Sequence, residues 1–243
     1  MRIVHSILLA SLATGAISSC KKEEKLEIIT NQAGNQNGVQ PEIQAITRYA
    51  GSEKSFVFGN RKYITGFTQR ANNQDAYVIC EENNVIIWSR YYDTSSDDSR
   101  GEGIIADGSN LYVAFSCTGG NTSFKATSGA FQNSYGSGGG PKILYLTRMK
   151  TINGNIEGAT FIGGKLNNGK TNTLRLEDGN IAPLSILPGG LLEVKATKAY
   201  DRADGRLTPD IGPDADCLIS GGGWTGVFNA EMKLLSGDCS AEQ

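Results

Sequence analysis

Histidine is almost missing from this chain. The one copy in 243 residues is His5. It sits in an N-terminal segment with the three-part layout of a cleaved export signal. Arg2 supplies the positive start, Ile3 to Ala13 is mostly apolar, and Thr14, Gly15, Ala16, Ser18 and Ser19 are small. The apolar run is too short to span a bilayer as a mature helix. Once this segment leaves, no imidazole remains, which excludes Ser-His-Asp and Cys-His catalysis and histidine zinc ligands. An excess of basic charge is also missing. Residues 20–243 hold 22 Lys and Arg against 25 Asp and Glu, a net charge of −3, so nothing points to a nucleic-acid surface. No long amphipathic helical pattern occurs. The glycine run at 136–141 has no lysine at P-loop spacing and no helical pattern after it, so it reads as a flexible insertion tip.

What the chain has is glycine, 31 residues of it, and abundant asparagine. That composition favours many short strands joined by tight turns. The order of those strands repeats. A first copy holds "NRKYITGFT" and "DAYVICEENNVIIWSRYY". A second holds "GSNLYVAFSCT" and, after a longer gap, "PKILYLTRMKTINGNIEGATFIGG". A degenerate third holds "PGGLLEVKAT" and "DADCLISGGGWTGVFNAEMKLL". "SRGEGIIADG" and "KTNTLRLEDG" read as the strands entering the second and third copies. In "YVIC" and "LYVAF" alternate side chains should face opposite sides of a sheet. Asn83-Asn84 and Asn153-Gly154 are suited to hairpin turns.

Tyr63-Ile64-Thr65-Gly66-Phe67-Thr68 and Asp75-Ala76-Tyr77-Val78 in the first copy resemble the SBBP-type bacterial β-propeller repeat. So do Gly129-Ala130-Phe131-Gln132 and Thr160-Phe161-Ile162-Gly163-Gly164 in the second. The resemblance is good over residues 47–165 and poor over 166–236. It implies an all-β fold of propeller-like four-stranded blades, about three to four units, and no particular catalytic activity. Propellers usually have at least about four blades, so closure is left open. "AITRYAG" at 45–51 could close the structure by pairing with the C-terminal strand. Three open units would expose two sheet edges, which suit an oligomer.

Ile17-Ser18-Ser19-Cys20 resembles the lipobox of bacterial lipoproteins. The resemblance implies acylation of Cys20, cleavage before it, and stable anchoring by several acyl chains, each buried CH₂ contributing about 0.8 kcal/mol. No Asp follows Cys20, which points to the outer membrane, on its periplasmic face or at the cell surface. Lys21 to Lys25 is a charge block that starts a polar tether, and a Cys-Lys start before acidic residues resembles a surface-export tag. The expected organisation is therefore a signal at 1–19, a lipidated cysteine and flexible tether at 20–44, and a repeat domain at 45–243.

Four further cysteines, Cys80, Cys117, Cys217 and Cys239, fit two disulfides in an exported protein, with three connectivities open. We expect Cys217–Cys239, stapling the C-terminal tail, and Cys80–Cys117; buried thiols are the alternative. Asp201, Asp204 and Asp210, with Asp214 and Asp216, lie on one glycine-broken stretch that could offer oxygens to Ca²⁺. Their spacing matches no EF-hand, and a solvated insertion loop explains them too. Asp93, Asp97 and Asp98 read as a turn satisfying its own backbone. Trp88, Tyr92 and Phe161, at repeat-matched positions, read as packing. Tyr135 and Tyr200 lie in insertions and are the candidate binding aromatics. The expected role is non-catalytic binding of a protein or glycan by a lipid-anchored domain. The alternatives are a carboxylate-based hydrolase and a structural subunit of an envelope complex.

Overall fold

A computed structural model describes residues 24–30, 43–49, 52–70, 73–92, 98–117, 123–133, 143–166, 171–176, 183–198, 207–208 and 223–240. Cys20, Tyr135, Tyr200, Asp201, Asp204, Asp210 and Cys217 lie outside these residues, and so does the Cys217–Cys239 pairing. The described residues contain strands and turns and no α-helix.

Three four-stranded antiparallel sheets carry the fold. The first runs β3 (Lys54–Phe58), β4 (Arg61–Arg70), β5 (Asn73–Glu82), β6 (Val85–Tyr92). The second runs β7 (Ser99–Asp107), β8 (Asn110–Cys117), β9 (Ile143–Lys150), β10 (Ile156–Leu166). In the third, β13 (Leu191–Lys198), β15 (Gly223–Phe228) and β16 (Leu234–Ser240) follow an inner edge built from two strands. β11 (Thr171–Leu176) pairs with one half of β13, and β12 (Leu184–Leu187) pairs with the other half. β10 bridges the second and third sheets: Ile156 to Ile162 pairs with β9, and Gly163 to Lys165 pairs with β11. A short β14 (Leu207–Thr208) adds to the end of β10.

The expected hairpin chemistry is visible. Asn83 and Asn84 take φ of 53° and 62°, the two left-handed positions of a type I′ turn, where asparagine is better tolerated than most residues. β5 and β6 close around them with Glu82 paired to Val85, and their register slips by one residue between Cys80 and Glu81.

The sheets pack face to face. Val78, Cys80, Trp88 and Tyr92 of the first sheet meet Leu111, Val113, Phe115 and Phe161 of the second. Tyr112, Ala114, Leu146 and Ile162, on the second sheet's opposite face, meet Leu184, Val194, Trp224 and Phe228 of the third. The middle sheet is therefore apolar on both faces, which is why "LYVAF" reads as a continuous apolar run. Trp88, Tyr92 and Phe161 are packing residues, as their repeat positions suggest.

The structure differs from three of these readings. The stretch at 43–49 forms β2 (Ile43–Tyr49), which pairs with β1 (Glu24–Thr30) and not with the C-terminal strand. β1 falls inside the segment expected as tether. No closed propeller forms among the described residues. The Cys80–Cys117 bridge does not form either, and both are buried thiols. Cys80 pairs with Trp88, whose indole N–H donates to the Thr151 carbonyl at 2.9 Å, beside the Asn110 end of β8. Cys117 is at the opposite end of β8. At about 3.3 Å per residue that end lies roughly 20 Å away, beyond the reach of an S–S bond.

Candidate functional site

Antiparallel alternation sends successive connections to opposite ends of the sheets, and the two-residue 71–72 link shares its end with the long ones. At one end of the sheets lie Gly59-Asn60, Asn83-Asn84, Gly108-Ser109, Thr151 to Asn155, Pro188 to Gly190 and Asn229 to Lys233, all tight turns. Hydrogen bonds fasten that end. Trp88 Nε1 and Arg61 Nη1 donate to the Thr151 carbonyl, and Tyr112 Oη donates to the Gly190 carbonyl at 3.1 Å. Arg148 Nε donates to the Ala230 carbonyl at 2.7 Å. The strands therefore launch their long connections, 118–142 and 199–222 among them, from the opposite end.

Part of one long connection is ordered against the sheets. Phe124 is buried between Tyr92, Phe115 and Tyr145, with ring centroids 5.3, 5.5 and 5.0 Å away. Further on, Thr127 and Gln132 bond to the outer edge of β10. Ala159 N–H donates to Thr127 Oγ1 at 3.1 Å, and Phe161 N–H donates to the Gln132 carbonyl at 3.1 Å. Phe131 N–H donates to the Met232 carbonyl at 2.9 Å, and its ring meets Phe228. The "GAFQ" stretch is thus a clamp between the second and third sheets that also blunts an open strand edge.

The inner strands β3, β7 and β12 converge on a cleft of about 230 Å³. Its lining is Lys54 and Phe56 from β3, Glu102 to Ile105 from β7, and Pro183 with Leu184 at the start of β12. The lining sits midway along the sheets: Lys54 pairs with Thr65 at the centre of β4, Glu102 to Ile105 hold the centre of β7, and Leu184 pairs with Val194 near the centre of β13. The approach of these strands leaves little room at β7. A Cβ on Gly101 would lie 1.9 Å from Thr65 Oγ1, and one on Gly103 would lie 2.7 Å from Leu176 Cδ1.

Between those glycines the β7–β8 register slips by one residue, leaving Glu102 as the extra residue of a β-bulge. A bulge re-aims a side chain out of the regular alternation. Glu102 lines the cleft and accepts a hydrogen bond from Ser116 Oγ at 2.5 Å. Lys54 is exposed at the cleft and makes no ion pair among the described residues. The cleft thus offers one ammonium, one carboxylate with an oxygen to spare, and apolar walls from Phe56, Ile105, Pro183 and Leu184. It can bind an amphipathic group. It has one acid where glycoside hydrolysis uses a pair.

None of these lining residues was singled out from the sequence. The signal was "GEG" in an entering strand: two glycines around a carboxylate, where regular alternation would not require either. Of the expected site residues, Cys80 and Cys117 sit in the core between the first and second sheets. Burial pushes the Cys80 thiol up to about 11, so it is a packing residue rather than a nucleophile. Asp98 accepts from the Gln74 N–H of β5 at 3.0 Å, a bond across 24 residues and not the local turn bond expected of it. Among the described residues no group of three or more His, Cys, Asp or Glu gathers to hold a metal. Neither a protein-family model nor a curated protein matches this chain.

Proposed function

We propose that this is a lipid-anchored outer-membrane protein, related to propeller-type blades, whose β-repeat domain holds a protein or glycan partner without cleaving it. The observation that carries the reading is the asymmetry of the connections. One end is closed by short, hydrogen-bonded turns, and the long connections leave the other. A rigid scaffold with variable loops at one end is the arrangement in which loops bind. The resemblance of Ile17-Ser18-Ser19-Cys20 to a lipobox supports the anchor. The lack of histidine beyond His5, and the single carboxylate of the cleft, support holding over hydrolysis.

The test is to shorten residues 134–141 to a two-residue link in the full chain, keeping the packed 123–133, and to recover partners from solubilised envelopes. Loss of a partner captured by the unaltered chain is expected. An unchanged set of partners, from this variant and from one shortened across 201–215, would count against the reading.

A further inference from the structure

We propose that the cleft between β3, β7 and β12 is a receptor for the free C-terminus of an extended peptide, seated as an added strand along β3. Three features of the structure meet there.

The first is an unoccupied strand edge. β3 ends its sheet, and no strand lies on its other side among the described residues. Its turn has two residues, with Gly59 at φ 62°, the first position of a II′ turn. Such a turn is closed by a hydrogen-bonded pair, here Phe58 and Arg61. Alternation then directs the main-chain groups of Lys54, Phe56 and Phe58 to β4 and those of Ser55 and Val57 outward. Ser55 and Val57 are exposed, Val57 by 63%. An extended backbone is the ligand whose donors and acceptors match such an edge.

The second is the apolar cleft beside that edge. Its 230 Å³ exceeds the roughly 150 Å³ known to take a benzene-sized group. One leucine or phenylalanine side chain fits against Phe56, Ile105, Pro183 and Leu184. A sugar, which brings polar hydroxyls on every side, finds few partners on these walls.

The third is the charge pattern. Lys54 offers an ammonium with no ion-pair partner among the described residues. Glu102, the extra residue of the bulge, offers a carboxylate oxygen to the same cleft. A ligand complementary to both carries a carboxylate and an N–H donor close together. The last residue of a peptide does. A fatty acid brings the carboxylate and apolar body but no donor, so Glu102 repels it.

The inference concerns the inner strands and does not rest on the long connections, so its failure and that of the loop reading are distinguishable. The test is fluorescence anisotropy with an N-terminally labelled Thr-Lys-Thr-Val-Thr-Leu peptide as the free acid, its C-terminal amide, and the acid with an N-methylated valine. The free acid is expected to bind, and the amide and the N-methyl peptide to bind about tenfold more weakly or worse, as loss of a charge-assisted or main-chain hydrogen bond requires. Lys54→Met, at an exposed position, should abolish the difference between acid and amide. Glu102→Gln should weaken the free acid while improving binding of dodecanoate. Amide shifts in ¹⁵N spectra should be confined to β3, β7 and β12. No binding of the free acid up to about 1 mM, equal binding of acid and amide, or tighter binding of dodecanoate than of the peptide by the unaltered chain would overturn the proposal.

Discussion

The phenol groups of this protein are placed for packing, and their ionisation follows. Burial raises the titration of Tyr63, Tyr77, Tyr92, Tyr112 and Tyr145 above the ordinary 10.0. Tyr77 is raised further by the Glu53 carboxylate, to which its hydroxyl donates at 2.5 Å. The unfolded chain loses these protons near pH 10 while the folded chain keeps them. Stability is therefore fully present below pH 10 and falls as pH rises from there towards the folded values. Absorbance at 295 nm should show these phenolates appearing together with loss of the β-sheet circular dichroism. Smooth ionisation near pH 10 with the fold intact would contradict the burial. The thiols give a second check. In the folded chain Cys80 and Cys117 should resist alkylation near neutral pH, and both should react after unfolding without any reductant. A need for reductant would restore the disulfide. The cysteine count made that disulfide attractive, but a count carries no information about which ends of a strand two residues occupy.

At the scale of elements, strands and turns were readable because their chemistry is local. Asparagine pairs announce left-handed turn positions, and period-two alternation announces a half-buried strand. The second copy's "GAFQ" was noticed as a motif, yet its use was not legible. Its clamp on β10 and Met232 depends on residues about thirty to one hundred positions away, brought near by sheet stacking. The bulge at Glu102 was hidden for the same reason: one extra residue in a strand is visible only against its partner. Phe124→Ala tests the clamp segment. Removing this ring from between Tyr92, Phe115 and Tyr145 should cost about 3–5 kcal/mol in urea unfolding. A loss below about 1 kcal/mol would mean that the segment lies on the surface and not in the core. β1 escaped the reading because it lies in a charge-rich stretch, and "AITRYAG" was readable as a pairing segment but not its partner. Arg48 of β2 explains the attachment: its guanidinium is buried and reaches Glu53 Oε1 at 2.5 Å and Glu81 Oε1 at 3.2 Å.

For the whole molecule, three stacked sheets bury both faces of the middle one, and β1–β2 attaches through Arg48 to the first. This order gives the protein two unlike ends. The tight-turn end carries exposed apolar side chains such as Ile152, 67% exposed, on connections only a few residues long. The strands that launch the connections 118–142 and 199–222 stop at the other end; Tyr135 and Tyr200, the aromatics that the sequence puts forward for binding, belong to those connections and lie outside the described residues. Photocross-linking decides which of these ends meets a partner. A benzophenone amino acid would replace Tyr135, Tyr200 or, at the opposite end, Ile152 in the full-length protein, with irradiation in intact cells. Cross-linked partners are expected from Tyr135 or Tyr200 and none from Ile152. Cross-links from Ile152 alone would place the partner at the wrong end and contradict the proposed function.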